Sequence, residues 1–286
     1  MSEVKKATTY EEQMALLKSR GLRITDEEAC LRKLSLINYY RLTAYLIPFK
    51  DDATGNYVQG ASFDKIYSIY EFDRKLRNTI FGALEVIEIS LRTRVSYFHA
   101  HKYGSLGYLN DINFNSDHDG TDFKRKIYTE IKRNKENPFV KHHLNNYGGN
   151  FPIWVIVELF SFGMLSRLYS DLKTGDQKRI AAEYDVNYKV FRSWLKCLTD
   201  LRNVCAHYGR LHNNTFPASP ANIKLPEDEK RKLWSYLTIL KLVYPDSDKW
   251  NGEFLPALKN LFAEYKDYIN LYHMAFPEDW SEQLQK

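Results

Sequence analysis

Arg202, Asn203 and His207 stand close together in the segment LRNVCAHYGRL, Leu201 to Leu211. Their types suit one reaction, cleavage of an RNA phosphodiester without a metal. That reaction needs a base for the 2′-hydroxyl, an acid for the 5′-oxygen and a cation for the charge on the phosphorane. Histidine titrates near neutrality and serves as acid or base. Arginine keeps its charge and presents a fork of donors to phosphate oxygens. An amide such as Asn203 can orient the phosphate or the ribose.

The element that must position them is a helix predicted over Asn187 to Leu211. Phe191, Trp194, Leu195, Leu198, Leu201, Cys205 and Tyr208 recur at helical spacing and predict a core-facing stripe. Lys196, Asp200, Asn203, His207 and Arg210 fall on the other side, with Arg210 a turn beyond the histidine. An ideal helix separates Arg202 from His207 by about 140°, so one copy does not aim both at one phosphate. A second copy across a two-fold axis could complete the site. The spacing alone is weak, since chance supplies roughly half an Arg-x4-His pair in such a chain. Arg94 and His99 repeat it, flanked by Val95 and Phe98, and read as a core helix with charged edges.

The wider context is more specific. LRNVCAHYGRL resembles the signature of the Abi-like abortive-infection proteins (the AbiD/AbiF type) of the HEPN superfamily. INYYRLTAY (37–45), SFDKIYSIYEFDRKLR (62–77), EVIEISLRTRVSY (85–97) and PIWVIVELFSFGMLSRLY (152–169) are similar to the same family. The likeness runs from about Thr9 past residue 213. It implies an all-α HEPN-type bundle, pairing of two motifs in a homodimer, and metal-independent RNA cleavage in a defence or toxin-antitoxin setting. It also implies a small regulatory RNA as partner. One departure stands out: relatives often carry a second His and then RLWNR, whereas this chain has Tyr208, Gly209 and RLHNN, with His212 in the aromatic position.

Sparse Gly and Pro and long stretches of helical apolar period point to an all-α chain. Helices are predicted over Tyr10–Lys18, Asp26–Ile37, Tyr39–Phe49, Ser62 to about Lys102, Lys124–Asn145 with a break at Asn137-Pro138, and Pro152–Leu172. Pro226–Val243 and Pro256–Tyr272 complete the set. The organisation expected is an N-terminal helical extension, 1–55, before a HEPN-like domain, 56–286. One continuous domain over 8–245 with added C-terminal helices is the alternative. The leading MSEVKKATTYEEQ lacks the apolar core of a signal peptide, and no uncharged apolar run could span a bilayer. Three cysteines without a CxxC spacing (Cys30, Cys197 and Cys205) fit a reducing cytoplasm better than disulfides or a metal knuckle. Neither a metal nor any other cofactor is expected.

The net charge of +5 hints at an anionic partner. Seven Lys or Arg against two Glu lie between Lys124 and His143. Lys124, Arg125, Lys126, Lys132 and Arg133 are therefore candidate RNA contacts, with a solvated helix face as the plain alternative. Glu88 and Arg92 read as an intrahelical pair that could also sit under the motif helix and orient it, and Glu158 is a similar candidate. His142 and His143 are adjacent and diverge, which disfavours a metal. The competing functional expectation is a module that holds a structured RNA without cutting it.

Overall fold

The computed structural model describes Val4 and residues 6–286; residues 1–3 and 5 of the leading segment lie outside the described residues. Among the described residues there is no strand or sheet, and the fold is all-α. Three short helices come first: α1 (Tyr10–Ser19), α2 (Glu27–Leu36) and α3 (Tyr39–Leu46). Each starts on a side chain that takes up a free backbone N–H. Thr9 forms a full capping box with Glu12, and Asp26 and Asn38 cap the next two.

Ser62 caps α4 (Phe63–Tyr103), which extends about 60 Å by helix geometry. Its first turns bury Phe63, Ile66 and Ile69 against Leu17, Leu34 and Leu42 of the leading helices. From Phe72 onward its apolar row, through Leu76, Ile80, Leu84, Ile87, Leu91 and Val95, belongs to the main core. One helix thus serves two apolar clusters.

The basic segment forms α5 (Gly120–Arg133) and α6 (Pro138–Asn146), broken where Pro138 takes the first position of a new helix. The helix expected over Pro152–Leu172 is interrupted. A short α7 (Ile153–Ile156) passes through a 3-10 turn, Phe160 is extended, and Ser161 caps α8 (Phe162–Asp171). α9 (Thr174–Ala181) leads to α10 (Tyr188–Ala206), which packs against α4, α8 and α9. α11 (Leu233–Val243) also packs on α10 and begins seven residues later than its pattern suggested. α12 (Ser247–Lys249) runs through a π turn at Trp250–Phe254 into α13 (Leu255–Glu264), which is shorter than expected.

All three cysteines are buried and free, and burial raises each thiol pKa, that of Cys205 to about 12. No described helix is long and apolar enough to cross a membrane.

His99 and His212 are buried histidines whose pKa burial lowers from 6.5 to about 4. Asp176 opposes the shift at His99, whereas His273 and Arg210 add to it at His212. The folded state therefore binds fewer protons than the unfolded chain between these values. The stability contribution is full above pH 6.5 and is lost as pH falls toward 4. At pH 5 the expected loss is about 2 kcal/mol per histidine. Thermal melts from pH 7 to pH 5 should show a steep fall in Tm, made shallower by His99→Phe; a flat profile would refute this.

Candidate functional site

The motif sits at the C-terminal end of α10, and that end differs from the expected one. The helix stops at Ala206, His207 is its cap residue, and Arg210 lies outside it. Tyr208 adopts a left-handed conformation with φ of 58°. Its N–H bonds to the Cys205 carbonyl at 3.2 Å, and the Gly209 N–H reaches back to the Val204 carbonyl at 2.8 Å. That is the Schellman arrangement for ending a helix. Gly209 suits this close turn, because a Cβ there would stand 3.0 Å from Val204 Cγ1 and 3.2 Å from its carbonyl oxygen, so Val204 would have to give by a few tenths of an ångström.

The side chains then diverge. Tyr208 was expected in the core stripe but is 67% exposed, because the left-handed turn swings it off the helix. Asn203 and His207 are exposed, and their side chains make no hydrogen bond to any described residue. Arg202 folds the other way, toward α4. Its Nε lies 3.7 Å from Glu88 Oε2, its guanidinium lies 5.9 Å from the centre of the Phe81 ring, and Nε has no hydrogen-bond partner.

Glu88 is a shared anchor. It binds Arg92 on its own helix as well as Arg202 on α10. Arg92 donates to the Phe160 carbonyl at 2.6 Å, which the break between α7 and α8 leaves free, and stands 3.8 Å from Glu158. The row Arg202, Glu88, Arg92 and Glu158 thus alternates in charge across three segments of chain. The expected intrahelical pair is present, and the motif arginine extends it.

Arg210 is placed elsewhere. It donates to the Ala44 carbonyl at the end of α3 and to the Asn213 carbonyl at 3.3 Å. It ties the loop after the motif to the leading helices. His212 is also turned inward, edge-on to Phe72 with ring centres 6.1 Å apart, so it fills an aromatic slot.

The same loop is held by residues that the sequence did not single out. Asp73 of α4 is fully buried and accepts from Tyr45 Oη at 2.6 Å, Arg77 at 2.6 Å, and the N–H groups of Leu211 (3.0 Å) and His212 (2.7 Å). Arg77 also donates to the Gly209 carbonyl at 3.1 Å, and Arg41 to the Tyr208 carbonyl at 2.7 Å. Burial pushes the Asp73 carboxyl above its ordinary pKa, and the bonds from Tyr45, Arg77, His212 and Leu211 oppose that push. The only signal in the sequence was an Asp and an Arg one turn apart beside Phe72 and Leu76.

A model of a known protein family matches residues 32–213, well over half of the chain, and its description is Abi-like protein. The chain belongs to the Abi-like protein family. No curated protein and no solved structure matches it. In this Abi-like chain the matched region ends just past His212, so it contains the motif, Glu88, Arg92, Glu158 and the Asp73 clamp. Arg94 and His99, with the same spacing as the motif, are far apart in character. Arg94 pairs with Glu183 at 3.0 Å, and His99 is fully buried beside Phe114.

The expected RNA contacts on α5 mostly carry their own counter-charges. Lys124 pairs with Asp111 at 2.8 Å, Arg125 and Lys126 with Asp122, and Arg133 with Glu130 at 2.8 Å. Lys132 has no such pair among the described residues. No cluster of three His, Cys, Asp or Glu side chains suited to a metal occurs among the described residues.

Proposed function

We propose that this protein is a HEPN-type endoribonuclease that cuts RNA by attack of the 2′-hydroxyl on the adjacent phosphate, as the toxin of an abortive-infection or toxin-antitoxin system. Family membership supports the defence setting. The observation that carries the chemistry is the fate of the three polar residues. Arg202 is oriented from behind by Glu88, while the neighbouring Asn203 and His207 are left exposed and unused by the fold. In this reading His207 moves the proton, as base to the 2′-oxygen or acid to the 5′-oxygen. Arg202 stabilises the phosphorane, and Asn203 orients the scissile phosphate.

Arg202 of the motif lies against the exposed Phe81 ring of α4, and Ile89, two turns further along α4, is exposed as well. A second copy covering these side chains would bury both and bring a second Arg202 and His207 beside the first. The active form is therefore a homodimer in this reading, and a small regulatory RNA acts as its restraint. The test is purified protein with RNA in excess EDTA. Cleavage should persist and leave 2′,3′-cyclic phosphate ends. Tight RNA binding without any cut would instead favour a holding module.

Tyr208 carries a specific expectation. A non-glycine residue held at positive φ costs roughly 1 kcal/mol, and such strain at a site invites a functional explanation. Its exposed ring beside His207 suits stacking on a base. Tyr208→Gly should raise stability by up to about 1 kcal/mol. It should also raise KM for RNA several-fold. An unchanged KM would remove the stacking role and leave a plain helix stop.

A further inference from the structure

We infer that the groove between α8, α10 and the segment around Ala218 is the track on which the flanking nucleotides of a single-stranded RNA lie. This rests on the reading of the motif as a ribonuclease site and adds where the rest of the substrate binds. The groove encloses about 630 Å³ and is lined by four cations, Arg167, Lys189, Arg192 and Lys196, against one carboxylate, Asp200. Arg167 is paired with Asp171 at 2.8 Å. Lys189, Arg192 and Lys196 are exposed and have no carboxylate within ion-pair distance among the described residues. That contrasts with the denser basic run on α5, where most cations are paired.

Their placement points at the motif. On α10, Lys189, Arg192, Lys196 and Asn203 fall within an arc of about 60°, so they form one face of the helix. Lys196 precedes Asn203 by about 10 Å of helix rise, and Lys189 by about 21 Å. A strand whose scissile phosphate meets Asn203 thus passes the three cations in turn, at a distance of a few nucleotides. The outer wall is fixed in place. Ala221 N donates to Ser193 Oγ at 3.0 Å, Trp194 Nε1 donates to the Ala221 carbonyl at 2.8 Å, and Tyr236 Oη donates to the Ala218 carbonyl at 2.6 Å. At the floor, a Cβ on Gly163 would touch Thr199 Cγ2 at 3.5 Å, so α8 and α10 approach closely there.

The test uses the full chain and a fluorescein-labelled, fully 2′-O-methylated single-stranded RNA of about twelve nucleotides, which cannot be cut. Fluorescence anisotropy across a salt series compares wild type with Lys189→Gln/Arg192→Gln/Lys196→Gln and with Lys124→Gln/Arg125→Gln/Lys126→Gln. The groove variant should bind at least about tenfold more weakly at about 0.1 M salt, with a salt slope smaller by about 2, while the α5 variant changes less than about twofold. Circular dichroism checks that both variants fold. The inference is overturned if the wild type does not bind, if the groove variant keeps wild-type affinity and slope, if the α5 variant loses more, or if a duplex of the same sequence competes equally. RNA cleavage by the wild type with unaltered binding by the groove variant would sink the track alone. Binding that depends on the groove, with no cleavage of ordinary RNA, would sink the ribonuclease reading and leave the groove.

Discussion

His207→Ala is expected to lower kcat for RNA cleavage by about 10²- to 10⁴-fold, the usual worth of a positioned acid or base. Arg202→Ala should cost about 10²- to 10³-fold, as loss of one donor to a developing charge does. Arg202→Lys should recover little, because lysine lacks the planar fork that can face Glu88 and a phosphate together. Neither His207 nor Asn203 supports the fold through its side chain, so His207→Ala should move stability by less than about 1 kcal/mol through the helix-end charge. Activity and stability thus separate. A His207→Ala protein that cuts RNA at the wild-type rate would refute the site. Mixing the Arg202→Ala and His207→Ala proteins tests the dimer. If each site takes its arginine from one copy and its histidine from the other, half the sites in a mixed dimer are intact, and roughly a quarter of the activity returns. If each protomer holds a complete site, mixing restores nothing.

The helix expected through Leu211 ends instead at Ala206, because the stop at Tyr208 is written without the usual glycine. A tyrosine at that position continues the apolar period and looks like core. Where the stop or start uses ordinary chemistry, as with Thr9, Asp26, Ser62 and Pro138, the elements were legible to within a residue or two. α4 was legible for the same reason, since a long apolar row and a polar cap agree. The break at Phe160 was not, because apolar residues dominate the run from Ile153 to Leu165 on both sides of Glu158, and only the Ser161 cap marks the restart.

At the site, residue types and order were readable, but partners were not. The Glu88–Arg92 pair follows from spacing, whereas the approach of Arg202 depends on how α10 crosses α4. Charge runs show a similar limit. The α5 run is conspicuous in sequence and largely paired in space, while Lys189, Arg192 and Lys196 are scattered among apolar residues and converge only once α10 is wound. A run counts charges along the chain, and a phosphate responds to charges left unpaired in space.

Asp73→Asn is the substitution expected to harm the fold most. Four donors converge on the Asp73 carboxylate, two from side chains and two from the backbone at Leu211 and His212. An amide accepts at only one end and turns its own N–H groups toward the others. Arg77, 4% exposed, would then be buried without its carboxylate. Breaking such a pair costs about 3–5 kcal/mol, set against a total stability of about 5–15 kcal/mol. The midpoint of thermal unfolding should therefore fall by about 6–20 °C. Asp73→Asn/Arg77→Met should recover part of that loss, because removing both charges no longer strands one. The damage should also reach the site below the melting point. Leu211 and His212 are where the chain after His207 is fastened, so their amides should exchange with solvent faster and cleavage should slow while the helices persist. A variant that melts within 2 °C of the wild type would show that the buried carboxylate is not what holds the loop behind His207.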